Sequence, residues 1–368
     1  MVMGNSLVSI WLWILWFKIT SYIGIFDEPS HIWNIMSLTG MVCGVVFPRI
    51  IIIVFHFIGV AIRRKTGKVM RGMTNTGLVA GSLVLIIIFS GTLFGRFNFK
   101  TERIEIKLQG LKPDLNGLKI VLISDLHLSS FHHHKELMVD VMEKIKIENP
   151  DLLINTGDFI SYGWREFGRF DTILRKAEGK YGKYAVMGNH DFGTYHPFYT
   201  KADKENNVLI INKLISSSGY KTLNDESSII TIGKSQISIT GVTTRGSFPR
   251  IIHSDIRKAG SDTDSADLKI LLAHDPNQWE KDVTGRTDID LTLSGHTHGM
   301  QIGIYTKSLT WSPARYFYPN WSGLYRKEDQ YLYVNRGLGV LGIPFRIWMP
   351  PEITVITLLA VKDRTKNW

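Results

Sequence analysis

The chain has 368 residues, 44% of them hydrophobic, and a formal net charge of +10. Eight Lys and Arg but only two acidic residues lie in residues 1–98, so most of the positive excess flanks apolar segments. Basic residues at these positions would contact anionic lipid and set the orientation of the protein in the membrane. The near balance of charge in residues 99–368 argues against a nucleic-acid partner. The single cysteine, Cys43, excludes an intrachain disulfide and a thiolate metal site.

Three apolar stretches predict that residues 1–98 form a transmembrane helical region. The first, 7–26, is about 20 residues long, the length of one membrane span. The second, 32–62, contains Pro48 and predicts one long, tilted helix kinked at the proline, with a re-entrant hairpin as the alternative. The third covers 78–94. We therefore expect a multi-pass protein of the cell membrane with three or four spans.

The basic run from Arg63 to Arg71 separates the second stretch from the third. If this run is cytoplasmic, the amino terminus is cytoplasmic too and the third span exports residues 99–368. Two spans in the second stretch would reverse that side. The sequence leaves the side of the second domain open.

Residues 99–368 have the composition of a soluble α/β domain. The three consecutive histidines at 132–134 predict a solvated helix start, because adjacent side chains on a helix face different directions. Residues 260–267 are polar and predict a surface loop. The remaining predicted elements are a first strand at 103–108, helices at 136–147, 164–178 and 201–218, and antiparallel strands of a second sheet at 220–223, 228–232 and 236–241.

Five short apolar runs in this domain each end in polar residues of the metal-ligand type. The runs predict buried strands, and the carboxyl ends of such strands meet at one edge of a sheet. The five polar clusters are Asp125-Leu126-His127, Gly157-Asp158, Gly188-Asn189-His190-Asp191, Ala273-His274-Asp275 and Gly295-His296-Thr297-His298-Gly299. Any one cluster alone is more often a turn or a solvated histidine. The five together predict a common site.

Carboxylates, imidazoles and one amide, without a thiolate, suit Mn, Fe or Zn. Two such ions about 3.5–4 Å apart can clamp the attacking and leaving oxygens of a phosphoryl displacement. The sequence therefore predicts a centre for two divalent metal ions.

The same clusters, in the same order, resemble the calcineurin-like metallophosphoesterases over residues 100–359. Segments such as Asn335-Arg336-Gly337-Leu338-Gly339 and Pro350-Pro351-Glu352-Ile353 are similar to the subgroup that contains YkuE-type phosphoesterases and membrane-bound UDP-2,3-diacylglucosamine pyrophosphatases. The resemblance implies a four-layer α-β-β-α sandwich in residues 99–368.

Carried over by position, the resemblance implies one ligand set and one catalytic histidine. It implies Asp125, His127, Asp158 and His298 at the first metal, and Asp158, Asn189, His274 and His296 at the second, with Asp158 as the bridge. His190 is then the histidine that contacts the scissile phosphate and protonates the leaving oxygen. Asp191 would orient the His190 imidazole, or would be a turn residue.

The resemblance implies a hydrolase of phosphoester or pyrophosphate bonds, and the apolar region favours a lipid-linked substrate. UDP-2,3-diacylglucosamine is the leading expectation, although that substrate faces the cytoplasm. The alternatives are a phosphodiesterase of phospholipid, cyclic nucleotide or nucleic acid, and a non-catalytic membrane scaffold. Aromatic segments at 311–321 and 344–349, including Phe345 and Trp348, either fill the core or rim an apolar groove.

Overall fold

The computed structural model of the protein describes residues 2–68, 71–247, 249–260, 265–306 and 308–361. The helices are α1 (Val2–Thr20), α2 (Pro29–Thr66), α3 (Arg71–Leu93), α4 (Lys135–Glu148), α5 (Phe170–Leu174), α6 (Lys201–Ser217) and α7 (Ile256–Ala259). The first eight strands are β1 (Lys100–Leu108), β2 (Lys119–Ile123), β3 (Leu152–Asn155), β4 (Lys183–Ala185), β5 (Lys221–Thr222), β6 (Glu226–Ile232), β7 (Ser235–Val242) and β8 (Thr244–Ser247). The others are β9 (Arg250–His253), β10 (Leu268–Ala273), β11 (Leu291–Ser294), β12 (Ile304–Tyr305), β13 (Thr310–Trp311), β14 (Gly323–Lys327), β15 (Gln330–Val334) and β16 (Glu352–Ala360).

The second apolar stretch forms one continuous helix, α2, and not a re-entrant hairpin. Pro29 starts this helix, where its missing N–H removes no bond. Gly67 ends it in the left-handed conformation, with its N–H bonded to the Arg63 carbonyl. Pro48 lies inside the helix without ending it, and α3 returns along α2 so closely that a Cβ at Gly81 would lie 2.9 Å from the Pro48 carbonyl oxygen. The two helices therefore form an antiparallel hairpin.

The turn between α1 and α2 binds to the globular domain. Helix α1 ends at Thr20, six residues before the end of the predicted span 7–26. Asp27 is fully buried and accepts hydrogen bonds from the Nη1 atom of Arg165 (3.2 Å) and the hydroxyl of Tyr199 (3.0 Å). Phe26 packs edge-on against Tyr162, with ring centroids 5.4 Å apart. The amino-terminal end of α2 and the carboxyl end of α3 thus lie on the same side, next to the globular domain.

Two helices of the described chain are long and apolar enough to cross a membrane, namely α2 and the segment Gly72–Phe97. Their apolar side chains are largely exposed, for example Val46, Ile53 and Leu83. Exposed apolar surface of this extent marks contact with lipid or with another protein. The shorter apolar segment of α1, Ile10–Thr20, does not reach the length of a span, so a third span stays a prediction.

Residues beyond Phe99 form two six-stranded sheets. The first has the order β1-β16-β2-β3-β4-β5, with β2 to β5 parallel and β16 antiparallel to β2. The second has the order β14-β15-β11-β10-β7-β6, with its four central strands parallel. Parallel strands with both faces covered carry continuous apolar sequences, as in β2 and β10, all of whose residues except Lys119 are buried.

The two sheets face each other across the main apolar core, which contains Ile120, Ile154 and Ile270. Helices α4 and α6 cover the outer face of the first sheet, and a second core lies beneath them. A thinner layer, made of α7 and the helical turn Trp279–Val283, covers the second sheet. The predicted four-layer α-β-β-α sandwich is confirmed.

Two predicted elements differ from the structure. The predicted helix at 164–178 is divided at Gly168, whose φ of 52° ends a short 3-10 turn before α5 begins. The predicted strand at 220–223 is the two-residue β5, which pairs in parallel with β4 in the first sheet and not in the second. Both errors arise because sequence patterns do not show which neighbour covers a segment. Part of the predicted loop at 260–267 lies outside the described residues.

Candidate metal centre

The seven predicted ligand residues lie at the carboxyl ends of five strands. Asp125 and His127 follow β2, Asp158 follows β3 and Asn189 follows β4 in the first sheet. His274 follows β10 and His296 and His298 follow β11 in the second sheet, and six of the seven side chains are buried. The edges of both sheets thus contribute to one site.

Asp125, His127 and His298 form the first cluster, in which the potential ligand atoms all lie within 4.8 Å of one another. The Nε2 atom of His298 is 3.1 Å from Nε2 of His127 and 3.3 Å from Oδ1 of Asp125. Three buried donors from two different sheets therefore point at one small volume.

Asp158, His274 and His296 form the second cluster. The Nε2 atom of His274 lies 3.0 Å from Oδ2 of Asp158 and 3.2 Å from Nδ1 of His296. The same Oδ2 atom of Asp158 is 3.8 Å from Nε2 of His127 in the first cluster. One carboxylate oxygen therefore lies between the two clusters.

Apart from His274, these groups have the protonation states that metal binding needs. Burial lowers the pKa of His127 to about 3 and that of His296 to about 4, so both imidazoles are neutral, the form that ligates metals. Burial opposes ionisation of Asp158, but His274 and the neighbouring histidines hold the pKa of this carboxyl well below its usual value. Burial also acts against the charge on His274, yet the Asp158 carboxylate raises its pKa to about 10. The clusters thus attract positive charge.

Asn189 supplies a direct test of whether a cation fits. Its Nδ2 atom donates to the Tyr195 hydroxyl at 3.0 Å, which fixes the orientation of the amide. Its Oδ1 atom is buried and has no hydrogen-bond partner among the residues that the structure describes. A buried acceptor without a partner costs about 1–3 kcal/mol, and a divalent cation would satisfy it. The residues present therefore fit a pair of nitrogen- and oxygen-ligated metal ions.

The backbone of the site is held in an unusual conformation. Five of the seven residues have left-handed φ values, which cost non-glycine residues about 1–3 kcal/mol each and are tolerated where the surroundings impose them. They are Asp125 (50°), His127 (39°), Asp158 (56°), His296 (73°) and His298 (51°). Such clustered strain is typical of functional sites.

Two glycines allow the ligand loops to approach each other. A Cβ atom at Gly188 would overlap the Asp158 carboxylate, and one at Gly295 would overlap Ser124 and Asp125. The His296 N–H, just after Gly295, donates to both carboxylate oxygens of Asp125 at 3.0 Å. The glycines in the Gly-Asn-His and Gly-His-x-His clusters are therefore required by close packing around the acids.

A set of outer residues contacts the imidazoles, and none of them was predicted as such from the sequence. Such partners fix the tautomer of a histidine that ligates metal. The contacts are His127 Nδ1 with Ser161 Oγ (3.1 Å), His274 Nδ1 with the Thr156 carbonyl (2.8 Å), His296 Nε2 with the Tyr318 hydroxyl (2.9 Å), and His298 Nδ1 with Arg346 Nη2 (3.3 Å). Tyr318 and Arg346 lie in the two aromatic segments noted in the sequence, 311–321 and 344–349, and Ser161 and Thr156 lie in neither.

His190 lies beside the two clusters without belonging to either. Its Nδ1 atom donates to the Ser161 carbonyl at 2.6 Å, which leaves Nε2 as the ring nitrogen that the loop does not engage. The imidazole stacks on Tyr195, with centroids 4.1 Å apart, and meets His127 edge-on at 5.1 Å. Burial lowers the pKa of His190, whereas Asp158 and the Ser161 carbonyl act in the opposite direction.

One interpretation of the sequence predicted that Asp191 orients the His190 imidazole. In the structure, Asp191 instead binds backbone N–H groups. Its Oδ2 atom accepts from the N–H groups of Asp158 (2.9 Å) and Gly188 (3.0 Å), and its Oδ1 atom accepts from those of Phe159 (2.8 Å) and Ile160 (3.2 Å). The buried carboxylate therefore ties the loop after β3 to the loop after β4. It holds the backbone of Asp158 in place, and the Ser161 carbonyl takes the predicted contact with the imidazole.

We expect Asp191→Asn to destabilise the protein by about 3 kcal/mol, because the amide nitrogen cannot accept the N–H groups that one carboxylate oxygen now binds. Thermal unfolding of the purified full chain should show a fall in melting temperature of roughly 8 °C. Asp140→Asn, at an exposed position of α4, is the matched control and should change stability by less than about 0.5 kcal/mol. Equal melting temperatures for the two variants would contradict this role of Asp191.

A cavity of about 550 Å³ opens over the two clusters. Asp158, His190, His296 and His298 form its polar floor. Its remaining walls are mainly apolar or aromatic and include Tyr162, Tyr195, Met300, Tyr318, Leu341 and Ile343. Of the two predicted aromatic segments, Tyr318 lines this cavity, whereas Phe345 is 2% exposed and belongs to the core. Trp348 is 64% exposed but is not among the lining residues of this cavity.

Comparisons with known proteins agree with this fold and site. The family model for calcineurin-like phosphoesterases matches residues 118–300, which include all seven residues of the site. The metallophosphoesterase YkuE of Bacillus subtilis is 31% identical over 70% of this chain and 85% of its own. A transmembrane protein with metallophosphoesterase domain from Danio rerio is 29% identical over 90% of this chain and 75% of its own. Among solved structures, phosphopantetheinyl hydrolase from Mycobacterium tuberculosis aligns over 69% of this chain and 99% of its own, with 13% identity and a TM-score of 0.37.

The fold and the clustered donors define a metal-dependent hydrolase of phosphoester bonds. The chain belongs to the calcineurin-like phosphoesterase family, as its similarity to YkuE and the family match demonstrate. The match to the Danio rerio protein extends beyond the globular domain, and together with the two long apolar helices it supports membrane association.

Proposed function

We propose that this protein is a membrane-anchored, dinuclear-metal hydrolase that cleaves a phosphodiester or pyrophosphate bond in the headgroup of a lipid-linked substrate. The observation that carries the proposal is one segment, residues 341–349, which lines the cavity over the metal clusters and also packs against the apolar helices. The substrate of such a site has a phosphoryl group beside an apolar chain.

We assign two ligand sets, in which the two clusters and the shared Asp158 rest on the distances in the site and Asn189 is added from the family resemblance. Asp125, His127, Asp158 and His298 would hold one cation, and Asp158, Asn189, His274 and His296 the other, with Asp158 shared. The bound pair supplies Lewis acidity to the phosphoryl group. The donor set suits Mn, Fe or Zn alike.

His190 has the position of a proton donor. Its imidazole lines the cavity, and the Ser161 carbonyl holds the proton at Nδ1, so Nε2 is the atom that can give a second proton to a departing oxygen. Stacking on Tyr195 keeps the ring in one plane. Because the Tyr195 hydroxyl also holds the Asn189 amide, one tyrosine positions both a metal ligand and the proton donor.

Residues 341–349 link the site to the helices at two points. Leu341 and Ile343 line the cavity, while the next residue, Pro344, packs on Gly40 of α2. The Arg346 N–H donates to the Gly91 carbonyl of α3 at 3.2 Å, and its guanidinium contacts His298. The metal ligands are therefore only a few residues from helices that can cross a membrane, which favours a substrate drawn from the bilayer.

The hairpin supports a proposal for the side of the membrane on which the globular domain lies. The globular domain contacts the first turns of α2 and the end of α3, whereas Arg63, Arg64 and Lys65 lie at the opposite end of α2. Basic residues at a helix end favour the cytoplasm. We therefore place the catalytic domain on the non-cytoplasmic side, which favours a phospholipid or another lipid phosphodiester over UDP-2,3-diacylglucosamine.

The test uses the full chain in lipid nanodiscs with Mn²⁺. The substrates are a diacyl phosphodiester, UDP-2,3-diacylglucosamine, a cyclic nucleotide and water-soluble bis(p-nitrophenyl) phosphate. We expect kcat/KM for a lipid-linked substrate to exceed that for the soluble diester by at least about tenfold, because the acyl chains contribute apolar binding energy. Asn189→Ala should be inactive on every substrate.

The outcomes separate the parts of the proposal. Full activity of Asn189→Ala would remove the metal centre from the mechanism. A preference for the cyclic nucleotide or the soluble diester over both lipids would contradict the lipid-linked substrate class. Cleavage of UDP-2,3-diacylglucosamine alone among the lipids would place the catalytic domain on the cytoplasmic side.

A further inference from the structure

A second cavity, of about 590 Å³, lies between α2 and α3 and is separate from the cavity over the metal clusters. Gly40, Gly44 and Pro48 line its α2 wall, and Leu85, Ile88 and Phe89 line its α3 wall. Glycine at position 44 keeps it open, because the nearest atom to a Cβ there would be Cδ1 of Leu85 at 3.7 Å. We call this cavity the interhelical groove.

Both ends of the interhelical groove are polar and its middle is apolar. Trp33, Ser37 and Thr92 lie at the end next to the globular domain, and Arg49 lies at the far end. From Trp33 to Pro48 the groove follows α2 for roughly 22 Å at 1.5 Å per residue. A membrane leaflet has an apolar depth of about 15 Å, half of the ~30 Å hydrocarbon core, so the groove is long enough to hold a chain that spans one leaflet.

The groove and the catalytic cavity meet at a single turn of chain. Ile343 lines the cavity over the metal clusters, and the adjacent residue Pro344 lines the end of the interhelical groove next to the globular domain. Pro344 is buried against Gly40, where a Cβ atom would lie 2.5 Å from its Cγ atom. The two cavities therefore lie on either side of one short segment, and a molecule that occupied both would have to pass Pro344.

The surroundings of the groove indicate lipid rather than protein as its occupant. Val42 and Val46 of α2 and Leu83 and Ile86 of α3 lie outside the groove, and all four side chains are exposed. Apolar side chains on both sides of an apolar slot match a hydrocarbon environment. In a bilayer, the groove would open sideways into the leaflet on the side of the catalytic domain.

We propose that the interhelical groove binds one acyl chain of the substrate while the headgroup of the same molecule lies over the metal clusters. This inference builds on the proposed function and adds an acyl-chain site formed by α2 and α3. It makes these helices part of the substrate site and not an anchor alone.

Filling the groove tests the proposal by activity. In Gly44→Leu the new side chain enters the groove, and Val46→Leu places the same side chain on the exposed face of α2 as the control. We expect Gly44→Leu to raise KM for a long-chain diacyl phosphodiester at least about tenfold, because the new side chain would displace roughly two methylene groups of the acyl chain from the groove. KM for bis(p-nitrophenyl) phosphate should not change. Leu85→Trp fills the groove from α3 and should reproduce the result if Gly44→Leu fails to fold.

Photo-crosslinking tests the same site without turnover. The probe is a diacyl phosphodiester with a diazirine near the end of one acyl chain, in nanodiscs with the full chain. We expect adducts on groove residues such as Met41 and Leu85, and few adducts in Gly44→Leu. A diacylglycerol with the same diazirine chain, which lacks the phosphate, should label the groove less strongly than the phosphodiester.

Each contrary result has a distinct meaning. Equal labelling by the two probes would show that the groove holds bulk lipid and would overturn the proposal, as would equal KM values for Gly44→Leu and Val46→Leu on the long-chain substrate. If both variants cleave the lipid in a metal-dependent reaction with the KM of the wild type, only the groove inference fails. If the wild type does not cleave the lipid at all, the proposed function fails first.

Discussion

Asp158→Asn should lower kcat/KM by at least about 10³-fold on every substrate, because this carboxylate lies between both clusters and its loss removes several kcal/mol of charge stabilisation. The variant keeps the size of the side chain but loses its negative charge, and an amide N–H₂ group would face His127 or His274. We also expect the metal content, measured by elemental analysis, to fall from two ions per chain to one or none.

The matched control is Asp225→Asn. Asp225 lies in the same domain and also has a left-handed backbone conformation, with a φ of 64°. Its carboxylate accepts hydrogen bonds from the N–H and hydroxyl groups of Thr243 and belongs to neither metal cluster. Its variant should stay within about twofold of wild-type activity. Retention of two tightly bound ions by Asp158→Asn would show that the carboxylate does not bridge them.

His190→Gln should lower kcat by about 10²–10⁴-fold for a substrate with an alkyl leaving group, the range that general acid catalysis contributes. The loss should be much smaller for p-nitrophenyl esters, because nitrophenolate departs without needing a proton. The metal content should stay at two ions per chain, since His190 belongs to neither cluster.

Two results would contradict this role of His190. Equal losses for alkyl and p-nitrophenyl leaving groups would assign the imidazole to phosphate binding instead of proton transfer. Loss of a metal ion would make it a ligand. We expect His190→Gln to fold, because the Ser161 carbonyl is the only hydrogen-bond partner of the ring among the described residues. Circular dichroism and the melting temperature, compared with the wild type, check that it does.

The strands and the ligand positions could be predicted because they depend on local patterns. Runs such as β2 and β10 are apolar on both faces, which only buried parallel strands require, and each ends where a polar ligand cluster begins. The order of the clusters then resembled one family. The four-layer fold follows from this resemblance and from the two apolar sheet faces that have to be covered.

The partners of the imidazoles could not be predicted in the same way. Ser161, Thr156 and Arg346 contact the metal-site histidines across 34, 118 and 48 residues of sequence, respectively. Such contacts depend on loop paths, which a local pattern does not encode. Of the two roles considered for Asp191, contact with the His190 imidazole is not seen for the same reason, because adjacency in the chain did not imply contact between the two side chains.

The paired attachment of the globular domain has a further consequence. Asp27, in the turn between α1 and α2, binds the globular domain, and the chain that follows α3 connects to the domain at a second point. Two attachments restrict rotation of the globular domain relative to the helices more than one would. In the proposed membrane-anchored state, the catalytic opening of the domain would keep a constant height and tilt above the bilayer. For the proposed lipid-linked substrate, the rate of turnover would then depend on the surface density of substrate in the bilayer, because the substrate would reach the site by lateral diffusion and not from solution.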